Sequence, residues 1–322
     1  MSTATDQREK TFRKAADRLF EDEGVRRAFC EALRCSQSYA PCGLWTRGPH
    51  GSLPLAEDDR TPAWWPDFAA RLENGFQPGK HSLHAEGAIY SLDFSSVFAG
   101  SALLVAAKKL ESPAVLDVCA APGGKTIFCQ LALEPRVLVA NEVIGKRLGI
   151  LRHNLKRCGI PAFTQRLDVS ELSKIAPSAF DVVVVDAPCS GQSLLAKGIE
   201  NPGCFHKATV NRNLRRQRRI IVESARTVSP GGFLFYATCT FAVEENERVV
   251  EWLLKGTDRF VPVEVPHLAK WASPQAAFPC YRLYPHSGLG AGAFCCLLRQ
   301  TETIRGPGQL PAELLRYPVL ES

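Results

Sequence analysis

Two short segments hold the residues best suited to covalent chemistry. Asp186-Ala-Pro-Cys-Ser-Gly191 and Tyr236-Ala-Thr-Cys-Thr-Phe241 each place a cysteine in a polar turn after an apolar run. A free thiol titrates near about 8.5, so only roughly a few per cent is thiolate at neutral pH. A nucleophilic Cys189 or Cys239 therefore needs surroundings that lower this value, and the amino end of a following helix could help. Glu244 and Glu245 stand where the first turn of such a helix is expected. They would stabilise the helix but oppose a thiolate if they faced it. One cysteine at a strand end is ordinarily a small buried hydrophobe. Two of them, both in polar turns after neighbouring strands, point to one shared pocket.

A second group surrounds the turn Leu116-Asp-Val-Cys-Ala-Ala-Pro-Gly-Gly-Lys-Thr126. Its small residues let the backbone approach a ligand closely, and doubly wound sheets bind nucleotides at the carboxyl end of their first strand. The turn is not the dinucleotide G-x-G-x-x-G, and the phosphate-loop spacing before Lys125 is absent, so neither NAD nor ATP is indicated. Glu142 follows Gly124 by 18 residues, at the expected end of the second strand. An acid there can accept both hydroxyls of an adenosine ribose. Asp168 and Asp186 are expected to end the third and fourth strands. Any one such acid is commonly a helix cap or a loop residue, but three in register make an acidic rim. That rim suits an uncharged ribose and a nearby sulfonium better than a pyrophosphate, which favours S-adenosyl-L-methionine as cofactor.

The elements that must position these residues are visible as alternating patterns. Strands are predicted over residues 114–118, 136–140, 163–167, 180–186 and 232–236. The run 180–186 is apolar between its aspartates and reads as central in a parallel sheet. Ile144, Leu148, Leu151, Leu155 and Cys158 form one helix face, and Gly159 is a suitable stop. A further helix is predicted from about Val210 to Val228, with Leu214, Ile221, Ala225 and Val228 towards the sheet. Strands alternating with helices imply an α/β fold, a doubly wound, mostly parallel Rossmann-like sheet. Residues 1–90 show two helical patterns, Thr11–Phe20 and Gly24–Cys35, then a stretch rich in Pro, Gly and Trp; they read as a small α+β accessory domain. Residues 91–300 would form the main domain, and 301–322 a tail.

Composition bounds the function class. With 322 residues, 45% hydrophobic and 22% charged, the chain has ordinary globular usage. No stretch approaches the roughly 18 apolar residues of a membrane helix. The opening residues lack a signal-peptide core, and Asp6 and Glu9 argue against a transit peptide, so a cytoplasmic monomer is expected. The twelve cysteines include no C-x-x-C, and Cys30, Cys35 and Cys42 are too loosely spaced for a zinc ribbon; no metal is expected. The net charge of +6 comes from 39 basic and 33 acidic residues. Five arginines and no acid lie between Arg212 and Arg219; without them 34 basic residues face 33 acidic ones. Arg212, Arg215, Arg216 and Arg219 share one helix stripe. Such a stripe is usually only a solvated face, unless the partner is a polyanion.

The segments LDVCAAPGGKT, DAPCSG and ATCTF, in this order, resemble the RNA (cytosine-5) methyltransferase family, the Sun family. Ser229-Pro-Gly-Gly232 and Phe278-Pro-Cys-Tyr-Arg-Leu-Tyr-Pro-His286 match it too, so the resemblance covers about residues 80–300. It implies an S-adenosyl-L-methionine-dependent enzyme that methylates carbon 5 of an RNA cytosine through a covalent cysteine adduct. By resemblance Cys239 is the nucleophile and Cys189 assists product release. DNA cytosine methyltransferases use the P-C cysteine instead, and spacing alone does not choose. The resemblance also assigns cofactor binding to Cys119, Ala120, Ala121, Pro122, Gly123, Gly124, Lys125, Glu142, Asp168 and Asp186. Asp186 and Lys125 would further orient the base or the cofactor. With RNA as partner, the arginine stripe becomes a phosphate-contacting surface and residues 1–90 an RNA-positioning domain. Leu92 stands where the family often has Gln, and Ala293 where it has Gly. Ribosomal RNA is the expected substrate. Transfer RNA, or a non-catalytic RNA-binding or ribosome-assembly role, is the alternative.

Overall fold

The computed structural model describes residues 2–35, 37–48, 53–56, 60–302 and 310–320, with side chains from residue 6. The helices α1 (Ser2–Leu19) and α2 (Glu23–Arg34) form an amino-terminal hairpin. The strands β1 (Cys42–Trp45), β2 (Ala69–Arg71) and β3 (Ile89–Leu92) pair antiparallel in a small sheet of order β2-β1-β3, with α3 (Ser82–Ala85) between β2 and β3 in sequence. Then come α4 (Phe94–Gly100), α5 (Leu103–Ala107), β4 (Ala114–Asp117), α6 (Gly124–Leu133), β5 (Val137–Asn141), α7 (Gly145–Arg157), β6 (Phe163–Gln165) and α8 (Val169–Ile175). The chain continues through β7 (Phe180–Asp186), α9 (Lys207–Thr227), β8 (Val228–Thr238), α10 (Glu247–Gly256), β9 (Phe260–Pro262), β10 (Tyr281–Leu283) and β11 (Ala293–Gln300).

The main sheet has the order β10-β11-β8-β7-β4-β5-β6, with β9 pairing on β11. From β8 to β6 all neighbours are parallel, whereas β11 runs antiparallel to β8, β9 and β10. The doubly wound α/β expectation therefore holds. Residues of β4, β5 and β7 alternate between two cores, as strands buried on both faces must. Val115, Leu138, Ala140, Val182 and Val184 meet α4 to α7 on one face; Leu116, Val139, Val183 and Val185 meet α8 to α10 on the other. Cys42, Leu44 and Tyr90 of the small sheet join the first core, so apolar packing is continuous across residue 90.

Leu148, Leu151 and Leu155 are the buried face of α7, and Gly159 stops it in the left-handed conformation at φ +67°. Several boundaries differ from the expectation, by one residue for β4 and β5 and by more elsewhere. β8 runs the full length from Val228 to Thr238 because it pairs with both β7 and β11. Val228 therefore opens a strand and does not close α9, and Leu214 is only half-buried. β6 stops at Gln165, so Asp168 is not a strand end. Of the expected tail, residues 303–309 and 321–322 lie outside the described residues. The remainder packs back on the sheet edge, where Val319 N donates to Ala162 O and Phe163 bridges Pro318. Within the Pro/Gly/Trp stretch, residues 49–52 and 57–59 likewise lie outside the description. No helix among the described residues is long and apolar enough to cross a membrane.

Candidate active site

The parallel strands bring the ends of β4, β5, β7 and β8 to one edge. Asp186 pairs in register with Ala237, and Ala187 N donates to Ala237 O at 2.8 Å, so the loops after β7 and β8 leave the sheet side by side. Their two thiols meet: Cys189 Sγ lies 3.3 Å from Cys239 Sγ. Buried polar contacts stitch these loops together. Ser190 Oγ and Thr240 Oγ1 are 2.7 Å apart, Ser193 N donates to Cys239 O, and Phe241 N donates to Gln192 Oε1. Asn246 accepts from Thr238 Oγ1 and donates to Thr240 O, which closes the turn after Cys239. These contacts tie the two loops to each other and close each on itself, so both cysteines sit on a hydrogen-bonded frame.

The pair is electrostatically unequal. Cys239 is enclosed on most sides yet keeps a solvent-facing surface. A hydrogen bond from Cys189 is the main influence that brings its thiol below the usual range; Ser193 and the Lys125 charge act the same way, against burial and Asp186. Cys189 is pushed well up by the same hydrogen bond and by burial. The first proton lost from the pair therefore leaves Cys239, and Cys189 remains the donor. Lys125, nearly buried, donates from Nζ to Asp186 Oδ2 at 3.1 Å. Burial would lower its pKa, but the Asp186 charge and hydrogen bond raise it, so it stays an ammonium beside the thiol pair.

Glu244 and Glu245 do not occupy a helix first turn, because α10 begins only at Glu247 after the Asn246 cap. Glu244 turns outward to Arg18 of α1. Glu245 is fully buried and accepts from Ser190 N at 2.8 Å and Gln217 Nε2 at 3.0 Å. It ties the Cys189 loop to α9, and Gln217 also donates to Pro188 O. Burial raises the Glu245 carboxyl above its ordinary value.

The glycine turn after β4 carries residues 119–124 into α6. Gly123 is in the positive-φ region at +119°, which favours glycine, and a Cβ on Gly124 would stand 2.7 Å from Leu92 Cδ2. Cys119 lines this turn half-buried, its thiol pushed up by burial. Glu142 follows β5 by one residue, 3% exposed. Its Oε1 accepts from Ile144 N, and its Oε2 has no hydrogen-bond donor, only the Arg147 guanidinium at 3.1 Å. Arg147 also donates to Ala121 O, which fixes the acid beside the turn. A buried carboxylate oxygen free of hydrogen bonds, next to a close-approach turn, fits the hydroxyls of a nucleoside ribose.

Asp168 has a different place from the one expected. It caps α8 in a capping box with Glu171, accepts from Ser170 N and pairs with Arg219 at 2.8 Å. The Ser170 hydrogen bond is the main cause holding its pKa down. Of the arginine stripe, Arg219 is thus committed to Asp168, and Arg216 donates to Asn213 Oδ1. Arg212 and Arg215 are exposed with no carboxylate partner among the described residues.

Two residues near the turn escaped sequence reasoning. Asn141 donates from Nδ2 to Val118 O and Leu167 O and accepts from Leu167 N, so it fastens the turns after β4 and β6 together. Asp117, the buried last residue of β4, accepts from Thr126 Oγ1 at 2.7 Å and leaves Oδ1 without a partner; burial pushes it up to about 7. An acid ending a buried strand just before a glycine turn was the available signal for Asp117. All twelve cysteines are free thiols, and no three His, Cys, Asp or Glu side chains among the described residues are grouped to hold a metal.

Comparison with known proteins identifies the family of the chain. A family model described as 16S rRNA methyltransferase RsmB/F matches residues 103–299. The ribosomal RNA small subunit methyltransferase F of Photobacterium profundum is 32% identical over 199 residues, 60% of this chain and 41% of that protein. Its namesake from Aeromonas hydrophila is 28% identical over 269 residues, 80% of this chain and 56% of that protein. The chain thus spans about half the length of the curated relatives it matches. Among solved structures, a methyltransferase homolog protein from Pyrococcus horikoshii superposes with a TM-score of 0.69 at 22% identity, covering 89% of this chain and 93% of that one. NSun6 from Pyrococcus horikoshii with SFG gives 0.70 at 18% identity, covering 91% and 98%. At these identities the likeness shows the fold alone. With a Rossmann-like methyltransferase sheet, a glycine turn beside the buried Glu142 carboxylate, and the family match over most of that sheet, the chain belongs to the 16S rRNA methyltransferase RsmB/F family, a family of S-adenosyl-L-methionine-dependent methyltransferases.

Proposed function

We propose that this chain methylates carbon 5 of a cytosine in ribosomal RNA, with Cys239 as covalent nucleophile. The observation that carries the reading is the thiol pair: Cys189 Sγ and Cys239 Sγ stand 3.3 Å apart beside the Lys125 ammonium, an arrangement that brings the Cys239 thiol below the usual range and pushes Cys189 up. Carbon 5 of cytosine is a poor nucleophile. Addition of the Cys239 sulfur to carbon 6 turns the ring into an enamine-like nucleophile at carbon 5, which splits one hard step into two. Bound S-adenosyl-L-methionine supplies an electrophilic methyl group on a sulfonium. A base then removes the carbon-5 proton and the Cys239 bond breaks. The Cys189 thiol assists by hydrogen-bonding the departing sulfur. Lys125 and Asp186, paired beside the thiols, orient the base. Glu142 and the backbone of residues 119–124 would hold the cofactor, the acid taking its ribose hydroxyls. A stacked cytosine cannot reach Cys239, so the target is flipped or single-stranded.

The test is transfer of labelled methyl groups from S-adenosyl-L-methionine to ribosomal RNA. Cys239→Ala should abolish transfer. Cys189→Ala should retain the RNA as a covalent adduct on a denaturing gel, because the departing sulfur loses its donor. Full activity in Cys239→Ala would refute the mechanism. RNA binding without any turnover would instead support a non-catalytic role.

A further inference from the structure

The loop that carries Cys239 is also the floor of a cleft on the other side. Between α1, the first turn of α9 and residues 241–244 lies an open cavity of about 770 Å³. One wall is α1, whose Lys10, Lys14 and Arg18 recur one turn apart on the lining face; the facing wall carries Lys207 of α9. Among the described residues Glu244 is the only carboxylate of the lining, and Arg18 already neutralises it. Lys10 pairs with Asp6. Lys14 and Lys207 are exposed and have no carboxylate partner among the described residues, so two uncommitted ammonium groups line opposite walls.

Two further features bear on what fits there. Phe205 lies in the same lining, only half-buried, against Phe12 of α1. A second depression of about 430 Å³ shares Gln7, Thr11, Phe205 and His206 with the first and extends it around α1. Cations interleaved with a partly exposed aromatic ring are the arrangement that holds unpaired nucleotides, by charge on the backbone and by stacking on a base. The cleft borders the loop of the thiol pair: Phe241 on its floor is two residues from Cys239 in the chain, and Gln192 on its wall accepts from Phe241 N and fastens that loop.

We propose that this cleft binds single-stranded RNA next to the target base, with Lys14 and Lys207 on phosphates and Phe205 under a base. The inference rests on the RNA-directed reading above and adds the path of the strand. The amino-terminal hairpin is then part of the substrate site as well as a support for the catalytic loops.

Fluorescence anisotropy of the full chain with a labelled single-stranded RNA of mixed sequence tests this without requiring turnover. Lys14→Ala/Lys207→Ala should weaken binding about tenfold at low salt and reduce the slope of log affinity against log salt by about 1 for each lysine. Phe205→Ala should weaken binding with the salt slope unchanged, since stacking releases no counterions. The surface pair Lys109→Ala/Lys174→Ala, outside the cleft, should bind as the parent does. Calorimetric binding of S-adenosyl-L-methionine by every variant checks folding. Unchanged RNA affinity in the cleft variant, an equal loss in the control pair, or a loss seen for poly-L-glutamate and not for RNA would each overturn the proposal. If the parent chain binds RNA through the cleft but transfers no methyl group, the catalytic reading fails and the cleft stands.

Discussion

The Cys239 loop has an anchor that can be removed selectively. Arg282 on β10 and Glu247 at the start of α10 form a buried ion pair, both side chains 2% exposed, with Nε and Nη2 on the two carboxylate oxygens. Arg282 Nη1 also donates to Phe241 O at 3.1 Å, two residues beyond Cys239, and Ser273 Oγ donates to Glu247 Oε1 at 2.6 Å. Arg282→Met removes the guanidinium and leaves Glu247 buried with only the serine donor. Stranding one partner of a buried pair costs about 3–5 kcal/mol, and an unpaired buried carbonyl adds about 1–3 kcal/mol. Arg282→Met/Glu247→Leu removes both charges and should regain most of the first cost, because apolar replacement of a whole buried pair is often neutral. The Phe241 carbonyl stays unanchored in both variants. Stability should therefore recover in the double variant while methyl transfer remains depressed. Denaturant unfolding and labelled methyl transfer, run on the parent and both variants, read the two effects separately. A single variant that loses less than about 1 kcal/mol, or a double variant that recovers full activity with stability, would refute the anchoring argument.

Three further outcomes follow from the geometry. The acid limb of the rate of covalent adduct formation with RNA should move to higher pH in Cys189→Ala, which deprives the Cys239 thiolate of its main stabilising donor, and move less in Cys189→Ser; an unmoved limb in the alanine variant excludes that coupling. Asp117 titrates at about 7 when folded against about 3.9 unfolded, so the folded state holds its proton longer and stability falls as pH rises through that window. Asp117→Asn should then be more stable than the parent at pH 8, by roughly a few kcal/mol, with the difference vanishing near pH 4; denaturant midpoints at the two pH values decide it. Gly124→Ala places a Cβ 2.7 Å from Leu92 Cδ2, the movable end of a side chain, so it should lower S-adenosyl-L-methionine affinity while costing at most about 1 kcal/mol of stability, and Gly124→Ala/Leu92→Ala should restore the affinity; calorimetry showing no rescue would reject it.

Much of the fold was legible because its strands are buried on both faces. Residues 180–186 read as a central strand from their valine run, and they are β7, paired on both edges. Asp168 was misplaced by three residues because β6 is a short edge strand. Its end depends on the Asn141 hydrogen bonds that pull Leu167 into a turn, which no period reveals. Glu244 and Glu245 look like helix-start acids in composition. The Asn246 cap and the pull of Ser190 and Gln217 place them ahead of the helix and point them apart.

The sequence by itself determined the sheet, the glycine turn and the identity of the residues at the strand ends, because alternation, turn residues and spacing act locally. It left open which of two cysteines loses its proton first. That was decided by contact between Cys189 and Cys239, fifty residues apart, and by the Lys125 ammonium that α6 brings up beside them. The ion pair behind Phe241 and the cleft between α1 and α9 are likewise tertiary. A long-range charge or cavity depends on which surfaces the packed helices bring face to face, and no local pattern encodes that distance.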